Sequence, residues 1–242
     1  MDNQNKKVIT KNTVQRLISD VTEIIKNPLS DQGIYYIHDE DDMFKGYAMI
    51  IGPSDTIYAY GYYFFEFTFP FDYPLTPPTV KYLTNDGKTR FHPNLYRNGK
   101  VCLSILNTWK GESWTSCQTI NSVLLTMVTL FHNKSFLNEP GINETHEDFE
   151  NYHKIIEFKV IDTAIINIIN NKYLPTNLTA FVPIILELFK KNANLIIKKI
   201  NDLDEKYKDD EEILSCSFYN MTVIINYKDI LRDLTELYNL YK

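Results

Sequence analysis

The period of the apolar residues changes several times along this chain, and each change marks an element. From residue 11 to 26, Val14, Leu17, Ile18, Val21, Ile24 and Ile25 recur at helical spacing on one face, and Asn27-Pro28 stops the run. Phe44 to Ile51 and Tyr62 to Phe69 are short, dense in branched and aromatic residues, and read as strands. In the second run, Tyr63, Phe65, Phe67 and Phe69 share one face and Tyr62, Phe64, Glu66 and Thr68 the other. Such an aromatic load reads as sheet core. Tyr73-Pro74-Leu75-Thr76-Pro77-Pro78 fits neither a helix nor a central strand, so it predicts a rigid surface loop leading into a strand at Val80 to Leu83. Helical spacing returns at 119–131, and again from about Glu147 into the 160s, after the loop Asn138-Glu139-Pro140-Gly141. The tail repeats it at 181–200 and 221–241, around the acidic, lysine-bearing stretch Asp202 to Glu212, which places Cys216 in a helical setting. Short strands joined by close turns, with helices before and after, predict an antiparallel meander and an α+β fold. The continuous apolar faces of the tail predict a helical extension instead of a disordered one.

Composition narrows the function. With 242 residues, 44% of them apolar, the chain has room for one large domain or for a core of about 150 residues with an appendage. A net charge of -6 argues against a general nucleic-acid binder. No run approaches the roughly 18 apolar residues of a membrane span, and the polar start MDNQNKK does not read as a signal peptide. Three cysteines without a CxxC pair point to a reduced protein of the cytoplasm or nucleus, with no metal or cofactor expected. Lys6, Lys7, Lys11 and Arg16 make the start of the first helix basic, which suits a solvated face as well as a docking one.

The candidate chemistry lies in FHPNLYRNGKVCLSIL, where Cys102 follows Asn94 by eight positions across a Pro- and Gly-punctuated loop. A lone cysteine among apolar residues is most often a small buried hydrophobe. Here Arg97, Asn98, Gly99 and Lys100 make the approach a basic turn, and an extended Lys100 to Cys102 puts an ammonium beside the thiol, where it favours the thiolate. Soft nucleophile, amide donor and rigid loop together are what an acyl-carrying enzyme needs. Cys117 and Cys216 lack such a loop, and none of the five histidines has a protease context.

This segment resembles the active-site segment of the ubiquitin-conjugating enzymes, in which a His-Pro-Asn tripeptide precedes the acceptor cysteine. The likeness extends over most of the first 160 residues through Tyr73-Pro74-Leu75-Thr76-Pro77-Pro78, similar to the family's YPxxPP loop, and Trp114, similar to its tryptophan after the active site. RNGKVCLSIL, Thr108-Trp109 and NEPG resemble the Z-type class, whose members carry a helical C-terminal extension. The resemblance implies a ubiquitin-conjugating fold over 8–172 and an all-helical extension over 173–242. It implies that Cys102 carries ubiquitin or a ubiquitin-like protein as a thioester, for transfer to a lysine of a protein substrate. Asn94 would steady the loop and donate to the oxyanion. His92 and Pro93 would shape the turn, and Glu139 would be the acidic gate for the incoming lysine. The activating enzyme would dock on the first helix at Lys7, Lys11 and Arg16. A RING-type or other ubiquitin ligase would meet Leu75, Trp114 and Ser116. The alternative on the same fold is a silent ubiquitin-binding scaffold. Two departures stand out. Twelve positions separate Cys102 from Trp114, longer than the common family interval, which predicts an enlarged loop around Asn107 to Glu112. Leu75, Ser116 and Cys117 stand where the family often has an aromatic and a Pro-Ala pair, putting common RING docking in doubt; Cys117 is expected to serve packing.

Overall fold

Thr10 accepts the Thr13 N–H at 3.1 Å and so caps the first helix, α1 (Lys11–Lys26). In the computed structural model, which describes residues 9–172, 174, 176–207 and 211–242, α1 buries Thr13, Leu17, Asp20 and Ile24. Its apolar face is therefore narrower than the spacing suggested: Ile18 is 56% exposed and Ile25 63%. The helix is rotated toward a polar pair whose groups are satisfied inside the fold. Thr13 donates to the Phe71 carbonyl at 3.1 Å, and the Asp20 carboxylate accepts from both Arg16 and the Tyr73 hydroxyl. Lys7 and the expected start of the core at residue 8 lie outside the described residues.

Four strands follow, β1 (Ile34–His38), β2 (Lys45–Ile51), β3 (Tyr62–Thr68) and β4 (Thr79–Tyr82), in an antiparallel meander of order β1-β2-β3-β4. The last three match their sequence signatures, while β1 is an addition. Both faces of β3 are covered, which explains its density of aromatics. On one face Tyr63 stacks on Phe131, ring centroids 4.3 Å apart. On the other, Phe64 lies 5.7 Å from Phe181, and the Tyr62 hydroxyl donates to the Ile185 carbonyl at 3.3 Å. That second cover comes from the tail.

Helix α2 (Ile120–Val128) starts at a reciprocal Thr119–Ser122 capping box. Helix α3 (Phe149–Lys159) continues through a π-helical segment, Val160–Ile166, into the short α4 (Asn167–Ile169). The tail then forms α5 (Val182–Tyr207), β5 (Glu212–Cys216), β6 (Met221–Ile225) and α6 (Tyr227–Tyr241). Ile185, Phe189, Ala193, Ile196 and Ile200 are buried along one side of α5, and each of the large ones is worth roughly 1.5–3 kcal/mol in apolar burial.

The fold is α+β as expected, but the extension is not helical throughout. Residues 212–225 form a hairpin, so Cys216 sits on β5 and not in a helix. The hairpin shows strand periodicity on its own: Leu214 and Cys216 are buried, while Ile213 and Ser215 face out. Helical patterns on both sides masked this alternation. Burial pushes the Cys216 thiol up to about 11, which keeps it protonated and inert.

Candidate functional site

The loop before Cys102 is held from several directions. The Phe91 carbonyl accepts from the buried hydroxyls of Tyr58 at 2.8 Å and Tyr152 at 3.1 Å. Arg90 donates to the Pro93 carbonyl at 2.6 Å and lies 3.3 Å above the Tyr96 ring. His92 is fully buried, and its Nδ1 accepts the Asn94 N–H at 3.0 Å. Burial, with the nearby His132 ring adding to it, depresses the imidazole to about 3. It is neutral at physiological pH, and its Nδ1 lone pair is committed to the turn.

Beyond Asn94 the chain reverses at Gly99, whose φ of +90° suits glycine and where a Cβ would lie 2.9 Å from the Tyr82 carbonyl. The chain then returns beside Asn94. The Cys102 N–H donates to the Asn94 carbonyl at 2.9 Å, and Asn94 Nδ2 donates to the Cys102 carbonyl at 2.7 Å. Thiol-bearing and amide-bearing residues are thus locked to each other by a reciprocal pair of bonds. Cys102 is 2% exposed. Lys100 is exposed, with its ammonium 5.5 Å from the Tyr96 ring.

The other flank is the enlarged loop. The Thr108 hydroxyl accepts from the Leu103 N–H and donates to the Val101 carbonyl, both at 2.9 Å, so it brackets Cys102. Asn107, at a φ of 56°, accepts the Trp114 N–H at 2.8 Å. Between these ties Trp109, Lys110, Gly111 and Glu112 are exposed.

A third segment closes on the site. Asn138 donates to Asn94 Oδ1 at 3.3 Å, and its neighbour Glu139 accepts from the hydroxyl of Tyr219, which lies in the hairpin of the extension. Sequence reading missed both Asn138 and Tyr219. Asn138 is the sequence neighbour of Glu139; nothing local marks Tyr219, which is 80 positions from its partner.

Comparison with known proteins places the chain in a family. The family model described as "Ubiquitin-conjugating enzyme" matches residues 16–160. The chain belongs to the ubiquitin-conjugating enzyme family. It is 42% identical over 162 residues to "Ubiquitin-conjugating enzyme E2 Z" of Xenopus tropicalis, covering 66% of this chain and 51% of that protein. It is 41% identical over 160 residues to the Homo sapiens protein of the same name, covering 65% and 45%. The chain spans about half the length of these curated relatives. Both agree with the Z-type likeness of its motifs. The structure of human ubiquitin-conjugating enzyme E2 G1 aligns at 31% identity over 51% of this chain and 97% of that one, with a TM-score of 0.44.

Family expectations meet the geometry unevenly at the docking edges. Lys11 is exposed at the start of α1, but the Arg16 guanidinium is engaged within the fold. It donates to Asp20 at 2.9 Å and to the Ser116 carbonyl at 2.6 Å, with a third bond to the Gln118 carbonyl. It therefore ties α1 to the chain after the tryptophan loop instead of reaching out. Leu75 is 76% exposed and Ser116 exposed, whereas Trp114 is only 8% exposed and its indole donates to the Pro74 carbonyl at 2.7 Å. Trp114 thus supports the edge from behind. Cys117 is exposed, contrary to the packing role expected of it. Among the described residues, no cluster of His, Cys, Asp and Glu could hold a metal ion.

Proposed function

We propose that the protein accepts ubiquitin, or a ubiquitin-like protein, from an activating enzyme as a thioester on Cys102 and passes it to a lysine of a protein substrate. The observation that carries this reading is the reciprocal Asn94–Cys102 pair, within a segment that matches the family model. The Cys102 thiolate attacks the activating enzyme's thioester, and that enzyme's thiolate leaves. In the second step the lysine amine attacks the carbonyl carbon of the new thioester. A tetrahedral oxyanion forms, the amine loses a proton, and the Cys102 thiolate departs. Asn94 Nδ2 stabilises the oxyanion after letting go of the Cys102 carbonyl, while Glu139 receives or aligns the lysine proton. His92 holds the turn and plays no part as a base. The retained cysteine and asparagine favour this over a silent scaffold on the same fold.

The activating enzyme docks on α1 through Lys11 and, before it, Lys7. A ubiquitin ligase, RING-type or other, meets the edge at Leu75 and Ser116. The activity depends on ATP through the activating enzyme and needs no cofactor of its own. The catalytic core is 8–172 and the extension 173–242. Three unpaired cysteines suit a reducing compartment, the cytoplasm or the nucleus.

The test mixes the protein with activating enzyme, ATP and ubiquitin and resolves it on a non-reducing gel beside Cys102→Ala. A thiol-sensitive adduct in the wild type alone supports the reading. Failure to load any modifier from any activating enzyme leaves the scaffold.

A further inference from the structure

The turn of the tail hairpin, Ser217 to Asn220, touches two segments that flank Cys102: the Glu139 loop and the segment from Arg90 to Arg97. From Tyr219, the hydroxyl donates to Glu139, next to the residue whose side chain bonds Asn94. The Tyr219 carbonyl accepts from Arg97 at 2.6 Å, in the turn between Asn94 and Cys102. Its ring lies 5.3 Å from the Arg90 guanidinium, which itself holds the Pro93 carbonyl. The turn is anchored in its own right: Asp148 accepts the N–H groups of Ser217 at 2.9 Å and Phe218 at 2.8 Å. Burial and the adjacent Glu139 carboxylate both raise the Tyr219 pKa, so its hydroxyl keeps the proton it donates.

We propose that Tyr219 is a positioning residue for lysine transfer, by which the C-terminal extension fixes the Glu139 carboxylate for the incoming lysine. The inference rests on the reading of Glu139 as the group that meets the incoming lysine. A carboxylate on an exposed loop samples many rotamers, and a fixed donor removes most of them before the lysine arrives. The extension thereby acts on the second step and leaves the first alone, because loading needs the thiol and not the gate.

The experiment preloads the full chain with ubiquitin, removes the activating enzyme, and follows single-turnover discharge over a series of free lysine concentrations. Wild type, Tyr219→Phe, Glu139→Gln and the double variant are compared. Tyr219→Phe keeps the ring and is expected to load as wild type does and to stay folded, with a melting temperature lowered by a few degrees at most. Its limiting discharge rate is expected to fall about five- to tenfold, at an unchanged half-saturating lysine concentration. The double variant is expected to be no slower than Glu139→Gln alone, since one acts through the other. Wild-type discharge in Tyr219→Phe, multiplied losses in the double variant, or loading that falls together with discharge would each overturn the positioning role. Normal discharge in Glu139→Gln would do so too, while leaving thioester formation on Cys102 intact. A wild type that never loads would instead overturn the proposed function, and this inference with it.

Discussion

The two flanks of Cys102 are built by opposite rules. On the His92–Asn94 side, buried hydroxyls, a neutral buried imidazole and a stacked guanidinium all hold a few backbone groups. On the other side, the loop from Asn107 to Glu112 is tied only at its base, through Asn107 and Thr108, and its tip is in solvent. In the proposed transfer only the Asn94 side chain has to turn, from the Cys102 carbonyl to the oxyanion, while the backbone that carries it stays fixed. Choice among acceptors or modifiers needs only a surface they must pass. Under the proposed function the rigid flank serves the chemistry, and the loose one is the place for selection.

The largest effect expected from this contrast is on the rigid flank, at acid pH. The unfolded imidazole of His92 takes a proton near 6.5, the buried one only near 3, so the unfolded state binds more protons between those values. This contribution to stability is complete above about pH 6.5 and is lost as pH falls toward about 3, amounting to several kcal/mol. Urea unfolding of the wild type at several pH values should show that slope, and His92→Asn should flatten it; equal slopes would remove His92 from the account. Next, Asn94→Ala should slow discharge of a loaded thioester by about 100-fold, as loss of one oxyanion donor does.

A smaller effect is expected where α1 meets the tryptophan loop. Arg16→Ala leaves the Asp20 carboxylate, whose side chain is 7% exposed, without its cation and with the Tyr73 hydroxyl as its remaining donor, and frees two carbonyls. With Arg16 itself partly solvated, the loss should be about 2 kcal/mol, seen as a melting temperature about 4–8 °C lower. Smallest is the loose flank. Trp109, 45% exposed, should cost less than about 0.5 kcal/mol when changed to alanine and leave loading and discharge to free lysine intact. Discharge onto protein acceptors, or the choice between modifiers, should shift. Removing the loop tip without altering either would show that it selects nothing.

What the sequence revealed follows the same division. Cys102 and Asn94 were legible because they sit eight positions apart across one punctuated loop. The β2, β3 and β4 signatures were legible because each carries its own pattern of burial. β1 escaped because only Ile34 of its five residues is fully buried, so no alternation announced it. The tail hairpin escaped because its alternating residues lie between two helical patterns. The ties of Arg16 were hidden for a different reason: a basic residue on a helix reads as solvated, and besides Asp20 its partners lie 100 and 102 positions away. Tyr219 was beyond reach in the same way. Contacts of that length depend on the assembled fold and leave no local trace.

Loading on Cys102, as proposed, has one sharp competitor: Cys102 is buried with its backbone bonded to Asn94, whereas Cys117 is exposed. The most direct measurement is intact mass and peptide mapping of the loaded protein, run beside Cys117→Ser and Cys102→Ala. One ubiquitin attached through a thiol-labile bond to the peptide containing Cys102, undiminished in Cys117→Ser and absent from Cys102→Ala, is the expected result. An adduct on Cys117, or one that survives Cys102→Ala, would contradict the account at its centre.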